Sequence, residues 1–197
     1  MKLAFVIQRY GLEVAGGAEL HCRWLAERLS RRHHVEVFAT RALDYLEWKN
    51  HYAEGTEVVN GIPVHRHTVR RARNARKFAS LSNICFHESH TRKEEEAWVR
   101  ENGPYSPALV KAVTRSRDRF DRFLFYCYRY YHSFHGIPAV PDRALLVPTA
   151  EEDPAIRLAV FKELFRAPRG IVYLTPEEQA LVQGTSGNQA VPSVVIG

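Results

Sequence analysis

The fold is decided by residues 3–20, LAFVIQRYGLEVAGGAEL. Its first part, residues 3–7, is a continuous apolar run, which is typical of a strand covered on both faces. After the glycine pair at 16–17, apolar side chains recur at the spacing of one helix face, at Ala18, Cys22, Leu25 and Leu29. A second apolar run at 35–39 completes a strand–helix–strand unit, which predicts a right-handed crossover and a parallel sheet.

The alternation of strand and helix continues along the chain. Residues 57–66 predict a hairpin around Asn60-Gly61, whose second arm serves as the third strand. Apolar runs predict later strands at 123–128, 144–148 and 171–174 and at the pair 194–195, with helices at 107–117, from Pro154 and from Thr175. At Thr175 and Glu178 we expect a capping box.

The segment 70–103 differs in character, because it begins with RRARNARK and has few branched apolar residues. It includes a polar helix candidate at 91–100, so we interpret the segment as a helical insertion or lid beside the sheet, after the third strand. The whole pattern predicts an α/β fold: a doubly wound, mostly parallel, Rossmann-like sheet of about six or seven strands.

Composition excludes several classes of protein. The 197 residues suit one domain with a small insertion, 45% of them are hydrophobic, and no apolar run approaches the length of a membrane span. The apolar start is too short for a signal peptide, so we expect a cytoplasmic protein. Three widely separated cysteines argue against a disulfide framework or a zinc site. The net charge of +6 fits either a polyanionic partner or a solvated basic face.

In a doubly wound sheet, ligands bind outside the carboxyl ends of the strands. The glycine pair lies there, where it lets the backbone approach a ligand and leaves unpaired N–H groups for an anion. Its spacing matches neither G-x-G-x-x-G nor a P-loop, and close packing of helix on sheet is an alternative reason for both glycines. We interpret Glu19 mainly as a helix-start residue that the helix dipole stabilises.

Aromatic and polar side chains at other strand ends have the character that sugar rings prefer, although aromatic residues in such places often belong to the core or its rim. On position alone, the candidates for ligand binding are Tyr10, Asp44, Trp48, Lys49, Tyr130, Tyr131 and His132. The ten histidines show no paired ligand spacing, so we expect no metal.

Four segments together resemble the N-terminal domain of GT-B glycosyltransferases of family 4. They are MKLAFVIQRYGLEVAGGAELHCRWLAERLSRRHHVEVFAT, EVVNGIPVHRHTV, PDRALLVPTAEEDP and VYLTPEEQALV. The GGAE junction and the hairpin pattern of Glu57, Gly61, Val64 and Arg66 carry most of the resemblance. It implies that residues 1–197 form the acceptor-side domain of a retaining enzyme and that the C-terminal donor-binding domain is absent.

The resemblance also implies roles for particular residues. The amides of Gly16 and Gly17 would face the donor phosphates and the acceptor. Glu151 takes the place of a histidine that relatives carry near the reacting centre, and it is the catalytic candidate, with Glu152 as an acceptor-binding candidate. The resemblance makes the ligand-binding candidates at the other strand ends acceptor-binding candidates too. A carboxylate there could orient an acceptor hydroxyl or accept its proton, whereas the alternative is a solvated acidic helix start.

The implied partners are the C-terminal donor-binding domain and a saccharide, phosphorylated or lipid-linked acceptor. A nucleotide sugar would be the co-substrate, with no covalently bound cofactor and no metal. The resemblance further implies that this chain alone binds an acceptor but transfers no sugar. Peripheral contact with the inner face of an anionic membrane is compatible with the charge, and we expect no nucleic-acid partner.

Two other functions remain open at this point. A nucleotide-binding oxidoreductase shares the fold class but would need a different glycine spacing. A non-catalytic module that binds anions or a membrane surface would use the basic side chains of Arg70, Arg71, Arg73, Arg76 and Lys77.

Overall fold

The computed structural model describes residues 1–196; Gly197, which the resemblance places at the start of a linker, lies outside the described residues. Eight strands form one sheet: β1 Lys2–Ile7, β2 His34–Thr40, β3 Gly55–Val59, β4 Ile62–His67, β5 Arg122–Tyr126, β6 Ala144–Val147, β7 Gly170–Tyr173 and β8 Ser193–Val195. Their order is β3-β4-β2-β1-β5-β6-β7-β8, and each neighbouring pair is parallel except β3 with β4. The doubly wound, mostly parallel sheet is confirmed, with one more strand than the larger number expected, because the first hairpin arm, β3, also joins it.

Helices cover both faces of the sheet. They are α1 Gly17–Ser30, α2 Ala75–His87, α3 Arg92–Asn102, α4 Pro107–Arg115, α5 Tyr131–Gly136, α6 Ala159–Leu164 and α7 Pro176–Ser186. On one face, α1 packs through Cys22 and Ala26 against Phe5 and its neighbours. On the other face, a larger core joins alternate strand residues such as Val6 to α2, α3, α4, α6 and α7. This alternation explains why β1 is apolar throughout, since both of its faces are buried.

The segment 70–103 is helical, as expected, and it contains two helices. α3 begins after Thr91, whose side chain and that of Glu94 form a capping box. α2 was not predicted from the sequence; its N-cap Asn74 accepts a hydrogen bond from the Lys77 amide at 3.0 Å. Trp98 is fully buried and joins both helices to the main core. The insertion is therefore packed onto the sheet.

Three local expectations need correction. β5 ends at Tyr126, two residues early, because Cys127 has a positive φ of 65°. The helix expected from Pro154 is interrupted at Leu158, whose ψ of 139° is extended, so a short 3₁₀ turn precedes α6. At α7 the Thr175 hydroxyl accepts from the Glu178 amide at 3.1 Å, but the Glu178 carboxylate accepts from Leu174 and Ala150 amides and does not close a capping box.

Among residues 1–196, no helix has the length and apolarity that a bilayer crossing requires.

Candidate functional site

The strand order reverses at β1, which lies between β2 on one side and β5 on the other. At such a switch point the loops that leave the two central strands diverge, and a crevice opens at the carboxyl ends of the strands. Here the crevice lies between residues 8–16, which follow β1, and residues 127–130, which follow β5. The topology therefore selects the β1 and β5 ends as the candidate site.

The start of α1 faces this crevice with a bare backbone. Gly16 is the N-cap, and no side chain of residues 1–196 caps the helix. A Cβ at Gly17 would meet no atom within 4 Å, and both glycines are exposed. The N–H groups of the first turn are thus open to a ligand, and an anion is what such groups bind best.

The two glycines serve different purposes. Gly16 has a φ of 145°, which side chains rarely adopt, and a Cβ there would overlap Oε2 of Glu19. Gly16 is therefore required by the local backbone and by its neighbour, whereas Gly17 borders open space.

Glu19 takes part in a buried ion pair, so the interpretation as a helix-start residue is incomplete. Its Oε1 lies 2.5 Å from Nη2 of Arg9, and the exposed fraction of both side chains is 7%. Arg9 Nε and Gln8 Nε2 each donate to the same oxygen at 2.9 Å. Removing either member of such a pair would leave an uncompensated buried charge.

Arg9 also ties two loops together. Its Nη2 donates to the Ala15 carbonyl at 3.0 Å, and its Nη1 donates to the Leu43 carbonyl at 2.9 Å. The Arg9 guanidinium thus donates hydrogen bonds to both the loop after β1 and the loop after β2. A role for Arg9 was not predicted from the sequence. Its position two residues after a buried strand was the feature that could have indicated one.

Strained backbone connects the crevice to the end of β6. Cys127 and Thr149 follow β5 and β6 with φ values of 65° and 48°. The Thr149 hydroxyl donates to Cys127 Sγ at 3.2 Å, and Gln8 Nε2 lies 3.5 Å from the same sulfur. Each such conformation costs about 1–3 kcal/mol and concentrates at functional sites. Burial raises the pKa of Cys127 to about 12, so its thiol stays protonated at neutral pH.

The acidic residues after β6 are not equivalent. Glu151 is exposed and has no hydrogen-bond or ion-pair partner among residues 1–196. Glu152 pairs with Arg157 at 2.5 Å on the surface. Asp153 caps the following turn by accepting from the Ala155 amide at 2.7 Å. Glu151 is thus the carboxylate in this group that remains free for a ligand.

Four predicted acceptor residues lie inside the protein: Tyr10, Trp48, Tyr131 at the start of α5, and His132. Tyr10 is fully buried, and Trp48 is 1% exposed with Nε1 donating to the Asn102 carbonyl at 2.7 Å. His132 is also 1% exposed; its Nε2 donates to the Tyr126 carbonyl at 2.8 Å, and burial lowers its pKa to about 4. This placement does not support direct contact of these side chains with an acceptor.

Other predicted acceptor residues lie nearer the surface. Tyr130 is half-buried at the crevice and packs edge-on against Trp48 at 5.4 Å; burial raises its pKa to about 12. Asp44 accepts from the Leu46 and Glu47 amides but also lines a cavity of about 510 Å³ beside α2. Lys49 is exposed and pairs with Glu47. Among these residues, Tyr130 is the one that lies in the loop after β5, which borders the crevice.

The basic cluster at 70–77 is only partly neutralised, because a single carboxylate serves two of its five cations. Arg71 donates to both oxygens of Glu101 at 2.8 Å, and Lys77 lies 3.7 Å from that carboxylate. Arg73 donates to the Asn102 carbonyl at 2.5 Å. Arg70 and Arg76 are exposed and have no carboxylate partner among residues 1–196, so the anion-binding or membrane-binding surface expected in this segment stays a prediction. Within residues 1–196, no group of three or more His, Cys, Asp and Glu side chains is arranged to hold a metal ion.

Comparison with known proteins supports the fold. No model of a protein family matches the chain, and no curated protein matches it. A crystal structure of alpha,alpha-trehalose 6-phosphate synthase from Burkholderia multivorans is similar, with a TM-score of 0.53 and 11% sequence identity. The similarity covers 100% of this chain and 50% of that chain, so the chain spans half the length of its structural neighbour. At this identity the likeness establishes a shared Rossmann-like architecture.

Proposed function

We propose that the chain is the acceptor-side half of a two-domain glycosyltransferase that moves a sugar from a nucleotide-sugar donor. The observation that carries the proposal is the exposed, uncapped start of α1 at the switch point of the sheet, with Gly17 next to open space. The similar solved structure is that of a glycosyltransferase whose chain is twice as long, which supports a second domain facing this crevice.

Residues at the carboxyl ends of β1, β5 and β6 suit this chemistry. Amides at the start of α1 bind a donor phosphate, because a helix N-terminus favours negative charge. The unpaired carboxylate of Glu151 orients an acceptor hydroxyl or takes its proton. Tyr130 offers a protonated phenol and an aromatic ring beside a sugar. Membership of family 4 and retention at the anomeric carbon belong to the same proposal and are supported by the sequence motifs.

The test is turnover by the complete product of the gene with a panel of UDP-, GDP- and ADP-sugars, read as release of nucleoside diphosphate. We expect turnover with the complete product and none with residues 1–197 alone. Efficient transfer by this chain alone would overturn the two-domain account. A complete product that binds nicotinamide cofactors and no nucleotide sugar would favour an oxidoreductase instead.

A matched pair of variants tests the catalytic role. Glu151→Gln should lower kcat by about 10²-fold or more, because a general base is removed. Glu152→Gln removes the same charge from the neighbouring residue, whose carboxylate already pairs with Arg157. It should leave kcat unchanged, since a role of Glu152 in acceptor binding would change KM. Equal kinetics in the two variants would remove Glu151 from the proposal.

A further inference from the structure

A second groove lies on the sheet face opposite α1, away from the crevice. Its volume is about 420 Å³, and α4 forms one wall while β2 and β4 form the floor. The side chains that matter are Phe38, His65, His67, Lys111, Arg115 and Arg119. None of the crevice residues lines this groove, so a ligand here would be independent of the proposed transfer reaction.

The charge of the groove is not compensated. Lys111 and Arg115 lie one helical turn apart on α4, and neither makes a hydrogen bond or ion pair through its side chain with any of residues 1–196. The carboxylate that borders this groove, that of Glu36, is already shared. It lies 3.2 Å from Arg119 and accepts from His34 at 2.8 Å and His65 at 2.6 Å. Two cations therefore face the groove without a counter-ion.

The floor of the groove adds a polar atom without a partner. Both ring nitrogens of His65 are occupied, by the Thr56 hydroxyl at 2.9 Å and by Glu36. Nε2 of His67 is buried and has no hydrogen-bond partner, while the ring stacks on Phe38 at 6.1 Å. Native proteins rarely leave such an atom unpaired, and a bound ligand is one way to satisfy it.

We propose that this groove binds a small soluble phosphate compound, of which inorganic pyrophosphate is the simplest probe. Lys111 and Arg115 contact the phosphate oxygens, because charge-assisted hydrogen bonds to phosphate are the strong ones. The His67 imidazole donates from the floor. The Phe38 ring lies beside both imidazoles, with ring centroids 4.8 Å from His65 and 6.1 Å from His67, and it adds no opposing charge to the floor.

The experiment is a titration of the protein with inorganic pyrophosphate by calorimetry, with the imidazole signals of His67 followed by NMR. We expect saturable binding and a shift of the His67 signals. The variant Lys111→Ala/Arg115→Ala should weaken binding at least tenfold, since it removes both unpaired cations. The absence of saturable pyrophosphate binding by the unmodified protein would overturn the proposal.

The matched control is Lys162→Ala/Arg166→Ala on and just after α6. These residues have the same spacing, the same charge and exposed side chains, and their loss should change pyrophosphate affinity less than twofold. An equal loss of affinity in both double variants would mean that only net charge attracts the anion, which contradicts a specific binding site in the groove. Binding to phosphatidic acid vesicles without binding to free pyrophosphate would also overturn the proposal of a soluble ligand, in favour of a lipid headgroup.

Discussion

Replacing Gly17 with alanine is expected to separate stability from ligand binding at the start of α1. Gly17 is the first residue of the helix and is not among the glycines with positive φ, and an added Cβ would meet no atom within 4 Å. Alanine restricts the unfolded chain and favours the helix, so the free energy of unfolding should rise by about 0.4–1 kcal/mol.

The same methyl group projects into the open space from which a phosphate would approach the first-turn amides. Blocking one charge-assisted hydrogen bond removes about 1.5–3 kcal/mol of binding. Since each 1.4 kcal/mol is tenfold, kcat/KM for sugar transfer should fall roughly 10- to 150-fold.

The assay combines urea unfolding of the variant with transfer kinetics of the complete gene product. Gly184→Ala is the matched control, because Gly184 lies inside α7 and a Cβ there also meets nothing within 4 Å. It should gain similar stability and keep wild-type kinetics. If Gly17→Ala gains stability and keeps its kcat/KM, then the amides of α1 do not hold a phosphate and the proposed site is refuted.

Three buried polar groups give further measurable outcomes. Arg9→Met leaves Glu19 buried without its partner and should lower the free energy of unfolding in urea by about 3–5 kcal/mol. The double variant Arg9→Met/Glu19→Met should lose less stability. An equal or larger loss in the double variant would contradict the coupling of the two charges. Burial lowers the pKa of His132 to about 4, so the unfolded state binds a proton that the folded state does not. Stability present above about pH 6.5 should therefore fall as the pH drops toward 4, by up to about 1.4 kcal/mol per unit, and an unchanged slope in His132→Asn would exclude this histidine as the cause. Glu101→Gln should cost about 1–3 kcal/mol, because the carboxylate is 1% exposed and bonded to arginine. Glu96 in the same helix also pairs with an arginine, but its side chain is 41% exposed, so Glu96→Gln should change stability by less than about 0.5 kcal/mol. Similar losses in the two variants would contradict the burial argument.

The parts of the fold that local chemistry determines could be predicted. The apolar run of β1 required two buried faces, and these are what α1 and the opposite helices provide. The Asn60-Gly61 pair predicted a tight hairpin, and φ values of 50° and 80° at these residues meet the requirement of that turn.

The parts that depend on contacts distant in sequence could not be predicted. Nothing local indicates that Arg9 would bend back to both Glu19 and Leu43. Burial of Trp48 likewise depends on the path of its loop and on the Asn102 carbonyl, which lies in a helix much later in the chain. Aromatic residues at strand ends look the same in sequence whether they line a crevice or fill the space beneath it. The candidate site was thus predictable in position but not in the orientation of its side chains.

The side chain that joins the loops after β1 and β2 has a consequence for local unfolding. Because Arg9 holds the carbonyls of both Ala15 and Leu43, neither loop can open without breaking bonds to the same guanidinium. Amide hydrogens in the two loops should therefore exchange through one shared opening event, as a single cooperative unit. A ligand that slows amide exchange in the glycine loop would also slow exchange in the loop after β2, without contacting that loop.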